Sequence, residues 1–286
     1  MVEKIIQMQK ILNTNDNNDN NNKILKNIKK IKKPEISDKD IKGSKCSIKG
    51  KEYEFVVYNI TTQLINIKTN LCFNTQNKNQ LGGCSSNNDL TCNFNKEYDV
   101  GIEIKKMNTP DWMQCSLKYD LEKKIWTPTI NNKIPDDSKK IFEKLLNSSE
   151  ISVFNGKIPP FFSKKITHEE WLKIKSDSKD YNDHYLKCPD DTIAKLYSAK
   201  GCQYIQISNK GLYHLGNDYC DFNVPYFICP QKLRIRTKIH TRKDSCGFCK
   251  LSVTLSCMPQ NIKELKNSEF SLDNFNKIPK TLYHFQ

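Results

Sequence analysis

The segment 99–106, DVGIEIKK, restricts the possible folds more than any other. Val100, Ile102 and Ile104 alternate with Gly101, Glu103 and Lys105. Successive side chains of a strand point to opposite faces, so this pattern predicts a β-strand with one apolar and one polar side. A carboxylate and an ammonium group then stand side by side on a strand whose other face is buried. Upstream, Asp89 opens a second predicted strand in which Leu90, Cys92 and Phe94 are the apolar set. Asp89 can therefore lie on the polar face of the neighbouring strand, where two carboxylates and a lysine would converge.

That combination suits phosphodiester hydrolysis. The reaction needs a cation that offsets developing charge and acidifies a bound water, and carboxylate oxygens suit Mg²⁺. Asp89 and Glu103 would be the ligands. Lys105 would position the attacking water or the scissile phosphate and stabilise the charge of the transition state.

The flanking sequence predicts a mixed α/β chain. Tyr53, Val56, Val57, Ile60 and Leu64 recur at three- and four-residue steps, which predicts a helix over 50–66. Strand-like pieces follow at 70–73, 89–94 and 99–105. Thr109, Pro110 and Asp111 have the order of an N-cap, a first helical residue and a first-turn acid, so a helix is expected next. A longer, less regular insertion after 120 holds a capping box at 167–170. A helix over 189–200 closed by Gly201, a strand at 203–207 with a turn at 209–211, and a hairpin of 232–242 with 250–257 complete the expected elements.

Asn88-Asp89, thirteen residues, then Glu103-Ile104-Lys105 resembles the signature of the PD-(D/E)xK nuclease superfamily, whose fold is restriction-endonuclease-like. That family's core runs helix, three strands, helix, strand, matching the order expected here. The resemblance implies a central mixed sheet flanked by helices, with an extra C-terminal β-hairpin region. It also implies an Mg²⁺-dependent deoxyribonuclease of the type II restriction class, acting on double-stranded DNA, with Mn²⁺ able to replace Mg²⁺ and a homodimer among the possible assemblies. Asp89 and Glu103 would be metal ligands and Lys105 the catalytic lysine. Glu54, with Glu52 as second choice, corresponds to the first-helix glutamate of many members and would be a third ligand. Gln114 corresponds to a polar residue on the helix after the lysine. Asn88 stands where the motif has proline, and the spacing from Gln114 to Tyr119 is one residue longer than in some subfamilies.

Lys232, Arg234, Arg236, Lys238, His240 and Arg242 occupy alternate positions, and the chain's three arginines all fall among them. On a strand they share one face, opposite Leu233, Ile235 and Ile239. Such a row calls for counter-charge, which a DNA backbone supplies. The alternative to a nuclease is therefore a non-catalytic DNA-binding protein that uses this strand, and a zinc-stabilised interaction module is third. Cys246 and Cys249 have the spacing of half a zinc site, which Cys220, Cys229, His214 or His240 would have to complete, but no second CxxC exists. Structural Zn²⁺ is not the expected role for this pair.

Composition sets the outer limits. Forty-six Lys and Arg against 32 Asp and Glu give a net charge of +14, suited to a polyanionic partner. Twelve cysteines in 286 residues are too few for a disulfide scaffold, and no run approaches the ~18 apolar residues that span a bilayer. The expectation is an intracellular protein, in cytoplasm or nucleus, that is neither secreted nor membrane-bound. The division expected is a disordered Asn/Lys-rich arm over 1–45, a nuclease core over 46–125, and an insertion, final core strand and basic hairpin over 126–286.

Overall fold

A computed structural model describes residues 41–64, 88–93, 99–109, 111–148, 152–241 and 243–280. The strand expected at 70–73 and most of the 1–45 arm lie outside the described residues. Residues from Lys45 onward fall into one unit, distinct from Met1–Ser44.

Helix α1, Ile41–Leu64, buries Val57 and Thr61, while Val56 from the same expected stripe stays exposed. Strand β1, Leu90–Asn93, runs antiparallel to β2, Asp99–Lys105, in the register Leu90 to Ile102. The alternation in β2 is realised: Val100, Ile102 and Ile104 enter a core with Val57, Leu90 and Tyr204. Helix α4, Thr192–Ala199, leads through Gly201 into β6, Cys202–Ile207, which pairs parallel with β2. Strand β7, Gly211–His214, follows a turn with Asn209 and Gly211 at φ 62° and 103°, and the first sheet is β1-β2-β6-β7. It is a mixed sheet, as expected. Among the described residues the expected order of helix, three strands, helix and strand is not reproduced, because further strands and helices stand between β2 and α4.

The helix expected from Thr109 is instead strand β3, Trp112–Asp120. Thr109 does not cap a helix: its hydroxyl and its N–H both donate to Lys106 O, closing a turn. Beyond it, Cys115 and Leu117 alternate with Gln114, Ser116 and Lys118, a period of two that no helix can satisfy. Trp112 and Met113 are both buried because the register slips between Trp112 and Gln114, with Met113 in the left-handed region at φ 36°.

The stretch between β2 and α4 contributes to a second sheet. It contains β3, β4 (Ile125–Pro128), helix α2 (Asp136–Leu146), helix α3 (His168–Asp177) and β5 (His184–Cys188). Helix α3 has the expected capping box, with Thr167 Oγ1 accepting from Glu170 N and Glu170 reaching back to Thr167 N. The C-terminal hairpin, β8 (Gln231–Thr241) and β9 (Lys250–Pro259), completes a five-stranded sheet in the order β4-β3-β9-β8-β5. The hairpin is thus internal to a sheet rather than appended to a core. Strands on both sides of position 125 share that sheet. Its apolar face packs with α2, α4, Ile205 and Ile207 in a second core. No helix among the described residues is long and apolar enough to cross a membrane.

Candidate functional site

The polar face of β2 turns toward α4, and four of the expected residues meet there. Asp89 Oδ2 accepts from Ile104 N at 2.9 Å, which ties the carboxylate to the neighbouring strand. Lys105 Nζ lies 3.3 Å from the same oxygen and donates to Glu103 Oε1. Glu103 is 2 % exposed and Asp89 5 %. Glu54, on α1, has a buried Oε2 with no hydrogen-bond partner. Glu52, the second choice on that helix, is exposed.

Three further residues complete the cluster. Lys200, at the C-terminal end of α4, places Nζ 2.7 Å from Glu103 Oε2 with 4 % of its side chain exposed. The Tyr197 ring lies under both ammonium groups, 5.4 Å from Lys105 Nζ and 5.7 Å from Lys200 Nζ. Cys202 Sγ contacts Glu103 Oε2 at 3.7 Å and Asn88 Oδ1 at 3.2 Å. Chain geometry explains the convergence. Gly201 takes φ +86°, which ends α4 and turns the chain into β6. A Cβ on Gly101 would sit 2.3 Å from both Gly201 O and Asn88 Nδ2, so β2 meets this turn only as glycine.

The charges perturb one another. Burial pushes the Glu54 carboxyl up, and the adjacent Asp89 charge adds to it, giving about 8. Burial also opposes ionisation of Asp89, but the Lys105 and Lys200 charges and the Ile104 N–H outweigh it and hold the group below the usual carboxylate range. For Lys105, burial disfavours the ammonium form, yet Asp89 and Glu103 more than compensate and raise it well above its ordinary value. Lys105 is therefore a fixed cation near neutral pH.

As a metal site the cluster has suitable donor chemistry, three carboxylates with one orphaned oxygen, and their mutual repulsion is what a cation would relieve. The shell is not assembled, however. Among the described residues, no three His, Cys, Asp or Glu side chains are gathered as a ready coordination set. Both oxygens of Glu103 are occupied by lysines.

Gln114 does not sit on a helix after the lysine. It lies on β3, facing the second sheet's polar side, and with its amide oxygen toward the cations it accepts from Lys238 Nζ at 3.1 Å and Arg236 Nη2 at 3.0 Å. Lys232, Arg234, Arg236 and Lys238 do share the outer face of β8, although two carboxylates neutralise part of the row. Asp111 binds Arg234 Nη1 at 3.2 Å and Arg236 Nη2 at 2.6 Å, and Asp183 binds Arg234. His240 Nε2 contacts Ser252 Oγ at 2.6 Å, and Arg242 lies outside the described residues.

Cys246 is exposed at the hairpin turn with Cys249 nearby, while Cys220 and Cys229 are buried in separate cores. None of the ligands considered for them joins the turn in a group of three among the described residues. Sequence reasoning missed Lys200, Tyr197, Cys202, Asp111 and Asp183. Only a helix ending in Lys-Gly directly before a strand hinted at Lys200, and nothing local pointed to the others.

Comparison with known protein families, with curated proteins and with solved structures gives no match.

Proposed function

We propose that this protein is a metal-dependent DNA endonuclease with a restriction-endonuclease-like core, hydrolysing phosphodiester bonds at the Asp89, Glu103 and Lys105 cluster. One observation carries the reading: Asp89, directly before β1, and Glu103, on the adjacent antiparallel β2, flank the same lysine, Lys105, while Glu54 approaches from the first helix. The pairing of β2 with β6 supports it, since 203–207 is the segment expected as the final core strand.

Asp89, Glu103 and Glu54 would hold the cation. A divalent ion bound there supplies a Lewis acid and lowers the pKa of its water. Lys105 remains protonated, so its part is to orient the water or phosphate and stabilise developing negative charge rather than to accept a proton. Ile104 N–H fixes the direction of Asp89, and Lys200 fixes Glu103 from the opposite side. Exchange of a lysine contact for the cation at Glu103 would accompany loading.

The second reading is a DNA-binding protein without catalysis. The double lysine clamp on Glu103 favours it. Mg²⁺-dependent cutting of supercoiled DNA that disappears in Asp89→Asn while duplex binding persists supports the nuclease. Binding with no cutting by the wild type supports the alternative.

A further inference from the structure

We propose that the whole outer face of the five-stranded sheet docks the phosphate backbone of duplex DNA, with Asp111 holding the place that a phosphate takes in the complex. This extends the reading of DNA as the partner and can fail independently of catalysis.

The face extends well beyond the arginine strand. Strand pairing sets Arg234 opposite Ser256, Arg236 opposite Thr254 and Lys238 opposite Ser252 on β9. It continues to Gln114 and Ser116 on β3, and to Tyr185 and Lys187 on β5, which pair with Arg234 and Lys232. Lys118 follows Ser116 at the next outward position and is exposed, as are Tyr185 and Lys187. Six cations and an amide therefore share one sheet face with the hydroxyls of Ser116 and Ser252, while Thr254 and Ser256 on that face are buried. Lys118, Lys187, Lys232 and Lys238 make no ion pair among the described residues. The burial of Lys238 and the charge of Arg236 together depress its ammonium, as expected for cations crowded without enough counter-charge.

Charge complementarity selects the occupant. B-DNA presents one phosphate charge per ~1.7 Å of axis, and a broad array of lysines with arginine forks and hydroxyl donors matches a repeating line of such anions.

Asp111 reads as an internal stand-in for that anion. Its carboxylate accepts from Arg234 Nη1, Arg236 Nη2 and Ser256 Oγ at 3.2, 2.6 and 2.9 Å, the donor set that would cradle a phosphate. Arg236 Nε is buried with no partner, a donor left over at the same point. Docking would exchange one anion for another, so Asp111 weakens non-specific association.

The test is anisotropy of a labelled random-sequence 30-base-pair duplex in EDTA, titrated with the full-length protein across a salt series. Asp111→Asn is expected to bind several-fold tighter near 0.1 M NaCl, with a log–log salt slope steeper by about 1. Asp137→Asn, which removes an exposed acid on α2, is expected to change neither. Lys118→Ala and Lys187→Ala, on exposed positions that leave the Asp111 cluster intact, should each make the slope shallower by about 1. The proposal is overturned if folded Asp111→Asn binds no tighter, if Asp137→Asn matches it, if both lysine variants leave the slope unchanged, or if polyglutamate competes as well as unlabelled duplex. Cleavage that fails while these binding effects appear would sink the nuclease reading alone. Cleavage that proceeds without them would sink this one alone.

Discussion

Lys200 Nζ stands 2.7 Å from Glu103 Oε2, joining the end of α4 to the middle of β2 across 97 residues of sequence. Both side chains are almost fully buried, and Lys105 occupies the other Glu103 oxygen. A buried carboxylate with two ammonium partners is a pinned group, and its orientation is set before any ligand arrives.

Lys200→Met would leave Glu103 with an uncompensated share of buried charge. Breaking such a pair costs ~3–5 kcal/mol, so the variant should melt well below the wild type in calorimetry. Lys200→Arg keeps the charge and should recover part of the loss. A methionine variant as stable as wild type would show that Lys200 does not hold Glu103.

Glu54 predicts a pH dependence. Its carboxyl is raised from 4.5 to about 8, so the metal-free folded protein keeps a proton that the unfolded chain has lost. That contribution to stability is fully present below the unfolded value and is lost as pH rises through about 8, at up to ~1.4 kcal/mol per pH unit. Urea denaturation in EDTA should show this fall, and Glu54→Gln should flatten it. Cation binding must also expel the proton, so Mg²⁺ affinity should climb from pH 6 toward pH 8 with up to one proton released. Calorimetry in buffers of different ionisation enthalpy would detect that release, and its absence would remove Glu54 from the ligand set.

Gly101→Ala should be among the most damaging single-methyl changes in the chain. Its Cβ would meet Gly201 O, a backbone atom, and the Asn88 side chain at 2.3 Å each. Relief requires moving the turn that carries Lys200 or the segment that carries Asp89, at ~1–3 kcal/mol or more. Thermal unfolding of the alanine variant measures it, and an unchanged transition would mean that the β2 to β6 crossing is looser than described.

Local periodicity made much of the fold legible. The alternation in 99–105 marked β2 to the residue, and the Thr167 and Glu170 pair marked the start of α3. The residues Asp89, Glu103 and Lys105 were legible because strand alternation fixes which way each points, whereas Glu54 came only from the family resemblance. The misread of 109–120 also has a local cause. Thr-Pro-Asp is a strong helix-start signal, and the bulge at Met113 buries two successive residues, hiding the period of two until Gln114. The second sheet was not legible, because β3 and β9 are joined only by pairing across more than a hundred residues. For the same reason Asp111 was read as a helix-start acid rather than as the counter-ion of Arg234 and Arg236.

The central claim, that the β2 cluster hydrolyses DNA, is tested most directly by incubating the purified full-length protein with supercoiled plasmid and linear duplex, in Mg²⁺ and in EDTA, beside Lys105→Gln. The expected result is cutting that requires the cation and falls at least ~100-fold in the variant, while its melting transition and duplex binding persist. Wild type that leaves both substrates intact in Mg²⁺ and in Mn²⁺, or Lys105→Gln that cuts at the wild-type rate, would contradict the account.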